Sequence, residues 1–311
     1  MDLVYKMPTQ PALKNLKVLN YGGASSVIDP DMVAKSYNII QQLAADEQVL
    51  SDLKIQNKFL EKYQQWIRSS KLNNFSGLDA FPVAAFANGT TEGFDKFYLK
   101  NSTRRFRCFR GEYMYHQAAW RNYFPNWKFI NDEPLARGDA VIISVPFSDL
   151  GDVHPDTAKV LDQCEALNIP VLIDCAFFGI CQNVEFNFDR LCITDITFSL
   201  SKTFPVSSLR IGMRLTRVDD DDSLLVHHKT NYNNRFSCAV GLNFIEQYSP
   251  DYNVLTWQAT QQKFCKQLGV APSKSVIFGL GGEEFVKYNR GSKTNRLCFS
   301  KYLYSGTLPH D

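Results

Sequence analysis

The sequence lacks most of the features that would assign it at once. No apolar run is long enough to span a bilayer, and Met1 to Leu19 mix polar and apolar residues without the uninterrupted apolar core of a signal peptide. Both absences point to a soluble, cytoplasmic protein with no membrane partner. The eight cysteines (Cys108, Cys164, Cys175, Cys181, Cys192, Cys238, Cys265 and Cys298) include no C-x-x-C pair, which argues against a thiolate zinc site and a small disulfide framework. Single scattered thiols read as reduced, mostly buried packing residues. Charge of one sign is also missing. The 34 basic and 32 acidic side chains are interspersed and leave a net charge of +2, so no basic face invites nucleic acid. A small-molecule substrate is favoured. Neither an internal repeat nor a low-complexity tract is present.

What is there is core-forming material. A chain of 311 residues, 44% hydrophobic and 13% aromatic, suits a large domain with a smaller partner. Asp29 and Pro30 stand as N-cap and first-turn proline ahead of helix-rich sequence running to Ser69. From Phe81 short apolar runs alternate with helix-like stretches. The runs are Val83 to Phe86, Phe106 to Phe109, Ala140 to Val145, Pro170 to Ile173, Ile196 to Leu200, and Ile211 to Leu215. Such alternation predicts an α/β domain with a mostly parallel sheet. Ala140 to Val145, a helix over Thr157 to Leu167, and Val171 to Ile173 form a βαβ unit that leaves Asp174 at a strand's carboxyl end. The acidic run Asp219 to Asp222 reads as a solvated loop at a domain boundary. Beyond it a helix is expected over Asn233 to Tyr248, then polar segments, then a strand near Arg296 to Phe299.

Four places carry residues suited to chemistry. In ITFSLSKTFPVSSLRIGM (Ile196 to Met213) an apolar strand runs into Ser199, Ser201 and Lys202, with Arg210 eight positions later. An unpaired ammonium beside a buried strand is costly, whereas a lysine converted to an imine has a reason to be inside; the alternative is a lysine that ends a strand at the surface. Asp174 after its strand is either a helix cap or a functional carboxylate. Asn88-Gly89-Thr90-Thr91-Glu92 opens a helical stretch, as an ordinary turn or as a phosphate cradle of backbone N–H groups and hydroxyls. Gly111-Glu112-Tyr113-Met114-Tyr115 follows another strand, and either tyrosine offers a flat π face.

In these residues the sequence resembles the class I/II aminotransferases, fold type I enzymes of pyridoxal 5′-phosphate (PLP). The likeness rests on the S-x-S-K form of Ser199, Ser201 and Lys202, on Arg210-Ile211-Gly212, and on Asp174 with Ala176 and Phe177, and it covers Phe81 to Leu215. Pro205 and Ser208 depart from the family's usual small residues. The resemblance implies a mostly parallel sheet with helices on both faces and a smaller α+β domain, the large domain running from Lys35 to Arg217 and the small one taking residues 1–34 and 218–311. It implies a Schiff base on Lys202 and Asp174 against the pyridine nitrogen. Gly89, Thr90, Thr91, Ser199, Ser201 and Arg210 would then surround the phosphate, and Tyr113 would stack on the ring, with Tyr115 its competitor. Ser148 and Phe177 stand where the family has asparagine and tyrosine donors to the ring's phenolic oxygen. Arg296 would take the substrate α-carboxylate, with Arg290 and Arg235 as other candidates, under an arm containing Gly22 and Gly23. The expected activity is amino transfer between an amino acid and a keto acid by a homodimer. Elimination, decarboxylation or racemisation on the same cofactor, and a degenerate non-catalytic protein, are the rivals.

Overall fold

A computed structural model describes residues 20–309, so Met1 to Leu19, read above for a leader and as part of the arm, lie outside the described residues. Three helices open the described chain: α1 (Pro30–Ala44), α2 (Glu47–Ser51) and α3 (Ile55–Arg68). The Asp29 carboxylate caps α1 by accepting from the N–H groups of Asp31 at 2.9 Å and Met32 at 3.3 Å, and Pro30 takes the first helical position, where its missing N–H costs nothing. The chain continues through β1 (Asn74–Ser76), β2 (Val83–Asn88), α4 (Thr90–Lys100), β3 (Arg105–Cys108), α5 (Met114–Tyr123), β4 (Lys128–Phe129) and β5 (Asp139–Ser144). It then forms α6 (Thr157–Leu167), β6 (Val171–Cys175), β7 (Glu185–Asn187), β8 (Ile193–Ser199), β9 (Ile211–Thr216) and α7 (Ser223–Lys229). The last elements are α8 (Arg235–Gln247), α9 (Tyr252–Leu268), β10 (Ala271–Pro272), β11 (Phe278–Gly281) and β12 (Asn295–Cys298).

Seven strands form the central sheet in the order β2-β9-β8-β6-β5-β3-β4, and β9 alone runs against the others. Every residue of β5 and of β6 is buried, as a strand covered on both faces requires. Phe94, Phe97 and Tyr98 of α4 and Trp120 of α5 pack on Phe106, Ala140, Ile142 and Leu172 from one side. Phe59 and Tyr63 of α3, Val160 and Leu161 of α6, and Val240 and Phe244 of α8 belong to the larger cluster on the other side. A second, antiparallel sheet of β10, β11 and β12 lies near the C-terminus. The chain from Tyr21 to Ile28 runs beside β12: the Cys298 N–H donates to the Tyr21 carbonyl and the Ile28 N–H to the Ser300 carbonyl.

The six expected strands are found within three residues at each end, and Thr157–Leu167 is helical as expected. The polar segments expected after Tyr248 include a 17-residue helix, α9, that the sequence reading did not pick out. Its buried positions include Asn253 and Gln261, which break the apolar periodicity. Asn253 Nδ2 donates to the carbonyls of Gly179 (3.2 Å) and Thr203 (2.8 Å), and Gln261 Nε2 to those of Ser273, Ser275 and Phe278, so these amides hold buried backbone that a leucine would leave unpaired. In the acidic run, Asp222 caps α7 and pairs with Arg214, while Asp219 and Asp221 pair with Lys229. All eight cysteines are free and buried. No helix among the described residues is long and apolar enough to cross a membrane.

Candidate active site

Parallel strands deliver their following loops to one edge of the sheet. Lys202 follows β8, Asp174 is the penultimate residue of β6, Ser148 follows β5, Tyr113 follows β3 and Gly89 follows β2. Because β9 runs in reverse, its beginning brings Arg210 to the same edge. A cavity of about 390 Å³ opens there. Among the residues named from sequence, Gly22, Thr90, Thr91, Tyr113, Ser148 and Asp174 line it, as do Phe177, Ser201, Lys202, Arg210 and Arg296. Gly89 and Ser199 stand behind the wall. Tyr115 is turned away and donates its hydroxyl to both oxygens of Asp95 on α4, at 2.9 and 3.0 Å.

One end of the cavity is built for an anion. Gly89 precedes α4 with φ +72°, and no side chain caps the helix, so its first N–H groups are left facing outward. The Arg210 guanidinium lies across this start and donates to the Thr91 hydroxyl at 3.0 Å. A Cβ at Gly89 would meet Arg210 Nη2 at 2.4 Å, and a Cβ at Gly212 would meet the Gly89 backbone at 2.9 Å. Both glycines are therefore required for the arginine and the helix start to share one cradle. Ser199 supports it from behind: its Oγ accepts from the Ser201 N–H at 3.2 Å and donates within reach of the Ser201 hydroxyl and the Ile211 carbonyl.

The middle holds the carboxylate and the lysine. Asp174 is buried and accepts from the Ala176 N–H at 3.0 Å. Burial, and then the neighbouring charge of Glu112, push its carboxyl up to about 7. Lys202 Nζ donates to the Ala24 carbonyl at 2.7 Å, and burial lowers its ammonium below the usual lysine value. Tyr113 is 41% exposed and stands edge-on to His116, a buried imidazole that burial holds near 3 and therefore neutral. The Phe177 ring packs edge-on against Phe278. The Ser148 hydroxyl is already committed to the Gly111 carbonyl at 3.0 Å.

Arg296 projects from β12 and also lines the cavity. Its Nη2 donates to the Gly23 carbonyl at 3.1 Å and its Nη1 to that of Ser148, while the guanidinium lies 4.4 Å over the Phe278 ring. Its buried Nε–H has no partner. Burial and the nearby Arg290 lower it to about 10, so it stays charged at neutral pH. Arg290 also lines the cavity, donating to the Glu112 carbonyl at 3.1 Å. Arg235 is not among the lining residues. The sequence reading did not select Ala24, Met114, Ala176, Lys287, Tyr288 or Asn289, which complete the wall. They come from loops, the start of α5 and a 3-10 turn ending at Tyr288, where no spacing rule announces them.

The donor set fits PLP: an anion cradle at one end, a buried carboxylate with its proton balance near neutrality, and a lysine softened by burial. No protein-family model and no curated protein sequence matches the chain. Solved structures do. Tyrosine aminotransferase from Leishmania infantum superposes with a TM-score of 0.67 at 11% identity, over 94% of each chain. A PLP-bound candidate aminotransferase from Clostridium difficile gives 0.60 at 12% identity, over 90% of this chain and 87% of that one. L-threonine-O-3-phosphate decarboxylase from Porphyromonas gingivalis gives 0.58 at 14% identity, over 88% and 91%. These likenesses establish the fold, an α/β architecture shared with aminotransferase-type enzymes.

Proposed function

We propose that this chain, which has the aminotransferase-type fold, is a PLP-dependent aminotransferase acting on an amino acid or a related amine. One observation carries the reading: Lys202, Asp174, Arg210 and Arg296 line a single cavity, a set that suits an imine, a ring nitrogen, a phosphate and a substrate carboxylate. When bound, the cofactor supplies an electron sink for charge developing at the substrate Cα.

The residues divide the remaining work. Arg210, Thr91 and the start of α4 would hold the phosphate. Asp174 would keep a proton on the ring nitrogen, and that cation in turn would hold the Asp174 carboxyl ionised at a pH where burial alone leaves it half protonated. Tyr113 offers its face to the ring. Lys202 would hold the cofactor covalently and, once displaced by substrate, take the Cα proton; an amine whose protonated form burial disfavours is suited to that role. Arg296, with an unpartnered Nε–H, would bind the α-carboxylate. A cytoplasmic homodimer, with a large domain of residues 35–217 and a small domain formed by the two flanking parts, completes the proposal. Free buried thiols support that compartment.

Incubating the purified protein with a panel of amino acids, with and without a keto-acid acceptor, tests this. Amino transfer requires the acceptor and yields a new amino acid. Carbon dioxide or ammonia released without an acceptor would favour a lyase or decarboxylase, the reading to which the threonine-phosphate decarboxylase likeness lends weight. A colourless protein that takes up no PLP would refute both.

A further inference from the structure

Behind the cavity lies a carboxylate that the proposed reaction does not use. Glu112 is 2% exposed, and both of its oxygens are occupied by one residue: Ser144 N–H donates to Oε1 at 2.8 Å and Ser144 Oγ to Oε2 at 2.5 Å. The Ser148 N–H in turn donates to Ser144 Oγ at 3.1 Å. A hydroxyl accepts as well as donates, so this one can receive from Ser148 and give its own proton to the ionised Glu112 carboxylate. With Glu112 ionised the chain of bonds runs from Ser148 through Ser144 to Glu112. The same Ser148 supplies the carbonyl that receives Arg296 Nη1, and at 3.4 Å Arg290 Nη1. Arg290 Nη2 closes the circuit on the Glu112 carbonyl.

We propose that Glu112 is a positioning residue: by clamping Ser144 it fixes the 144–148 turn, whose Ser148 carbonyl aims Arg296 into the cavity. This rests on the reading above that Arg296 takes a substrate carboxylate. Glu112 touches neither the cavity nor a reacting atom, and it acts through Ser144 and Ser148. Near neutral pH its carboxyl is poised at about 7, raised by burial and held down by the Ser144 bonds.

The variant Glu112→Gln keeps the volume and the acceptor for the Ser144 N–H, but its Nε2 can only donate to Ser144 Oγ, so the charge-assisted bond of the chain becomes a neutral one of opposite direction. Ser144→Ala breaks the same chain one step on. The assay is calorimetric titration of the cofactor-loaded protein with 3-phenylpropionate, a carboxylate that has no amine and cannot react. Each single variant is expected to raise Kd about tenfold, the loss of roughly one charge-assisted bond, and the double variant no further than that. Cofactor content stays near wild type. Unchanged Kd in Glu112→Gln, or losses that multiply to about a hundredfold in the double variant, overturn the proposal. So does a Glu112→Gln protein that sheds cofactor, because the residue then acts on the ring end. Arg296→Met separates the two levels. If it binds the probe as well as wild type does, the assignment of Arg296 fails and this proposal with it; if wild type takes up no PLP, the proposed function itself fails.

Discussion

Replacing Gly89 by alanine exchanges one hydrogen for a methyl group where the Arg210 guanidinium meets the start of α4. The backbone there has φ +72° and ψ −177°, a region nearly closed to residues with a side chain, so the change strains the folded protein by about 1–3 kcal/mol. The new Cβ would also lie 2.4 Å from Arg210 Nη2 and 2.8 Å from its Cζ. The guanidinium is the tip of a flexible side chain and yields first, leaving the helix start. The two costs are read separately. Backbone strain lowers the melting temperature of cofactor-free and cofactor-loaded protein alike. Displacing Arg210 removes a charge-assisted contact of about 1.5–3 kcal/mol to the phosphate, so PLP affinity falls about 10- to 100-fold. Equilibrium dialysis with absorbance quantification measures the second effect. In a Gly89→Ala/Arg210→Ala pair the steric conflict disappears with the arginine, so the double variant should bind PLP like Arg210→Ala alone. A Gly89→Ala protein that retains PLP as tightly as wild type would refute the reasoning, because the cradle would not be where the phosphate sits.

Three further outcomes are expected. Lys202→Ala should abolish turnover and leave no cofactor adduct after borohydride reduction, read by mass spectrometry; an adduct on another lysine would reassign the site. Phe177→Tyr should lower the midpoint of the spectroscopic pH titration of the bound cofactor by on the order of one unit, since it adds a donor to a wall that Ser148 and Phe177 leave without one, and an unchanged or raised midpoint would mean that residue 177 does not face the phenolic oxygen. In the cofactor-free protein Asp174 and Glu112 are held up at about 7, against about 4 in an unfolded chain, so the folded state binds more protons through that window and loses stability as pH rises from about 4 to 7. Melting temperatures at pH 6 and pH 8 should differ in that direction, by less in Asp174→Asn; equal gaps in the two proteins would exclude Asp174 as the source.

Much of the architecture was legible because its signals are local. The apolar runs that became β2, β5, β6, β8 and β9 have strand length and are broken by turns, and the Asp29-Pro30 cap sets the start of α1. The placement of Lys202, Asp174 and Arg210 was readable for the same reason: each is fixed by its neighbours in sequence to the end of a strand. Where the local signal is mixed, reading failed. The face that α9 buries carries Asn253 and Gln261, whose value lies in carbonyls of other loops, so no hydrophobic period marks it. Which of Tyr113 and Tyr115 lines the cavity likewise depends on another element: Tyr115 is held by Asp95 of α4.

Sequence alone thus disclosed six strands of the central sheet, the βαβ unit and the placement of Lys202, Asp174 and Arg210 at strand ends, because these depend on residues within a few positions of one another. Only the tertiary structure could place Arg296, 94 residues beyond Lys202, over the same cavity. Only it could reveal Glu112 as the anchor of the turn that holds Arg296. Those relations are set by the reversal of β9, the return of β12 beside the arm, and the burial that moves Asp174 and Glu112 towards neutrality. Burial and proximity belong to the packed chain, and no spacing of residues along the sequence encodes them directly.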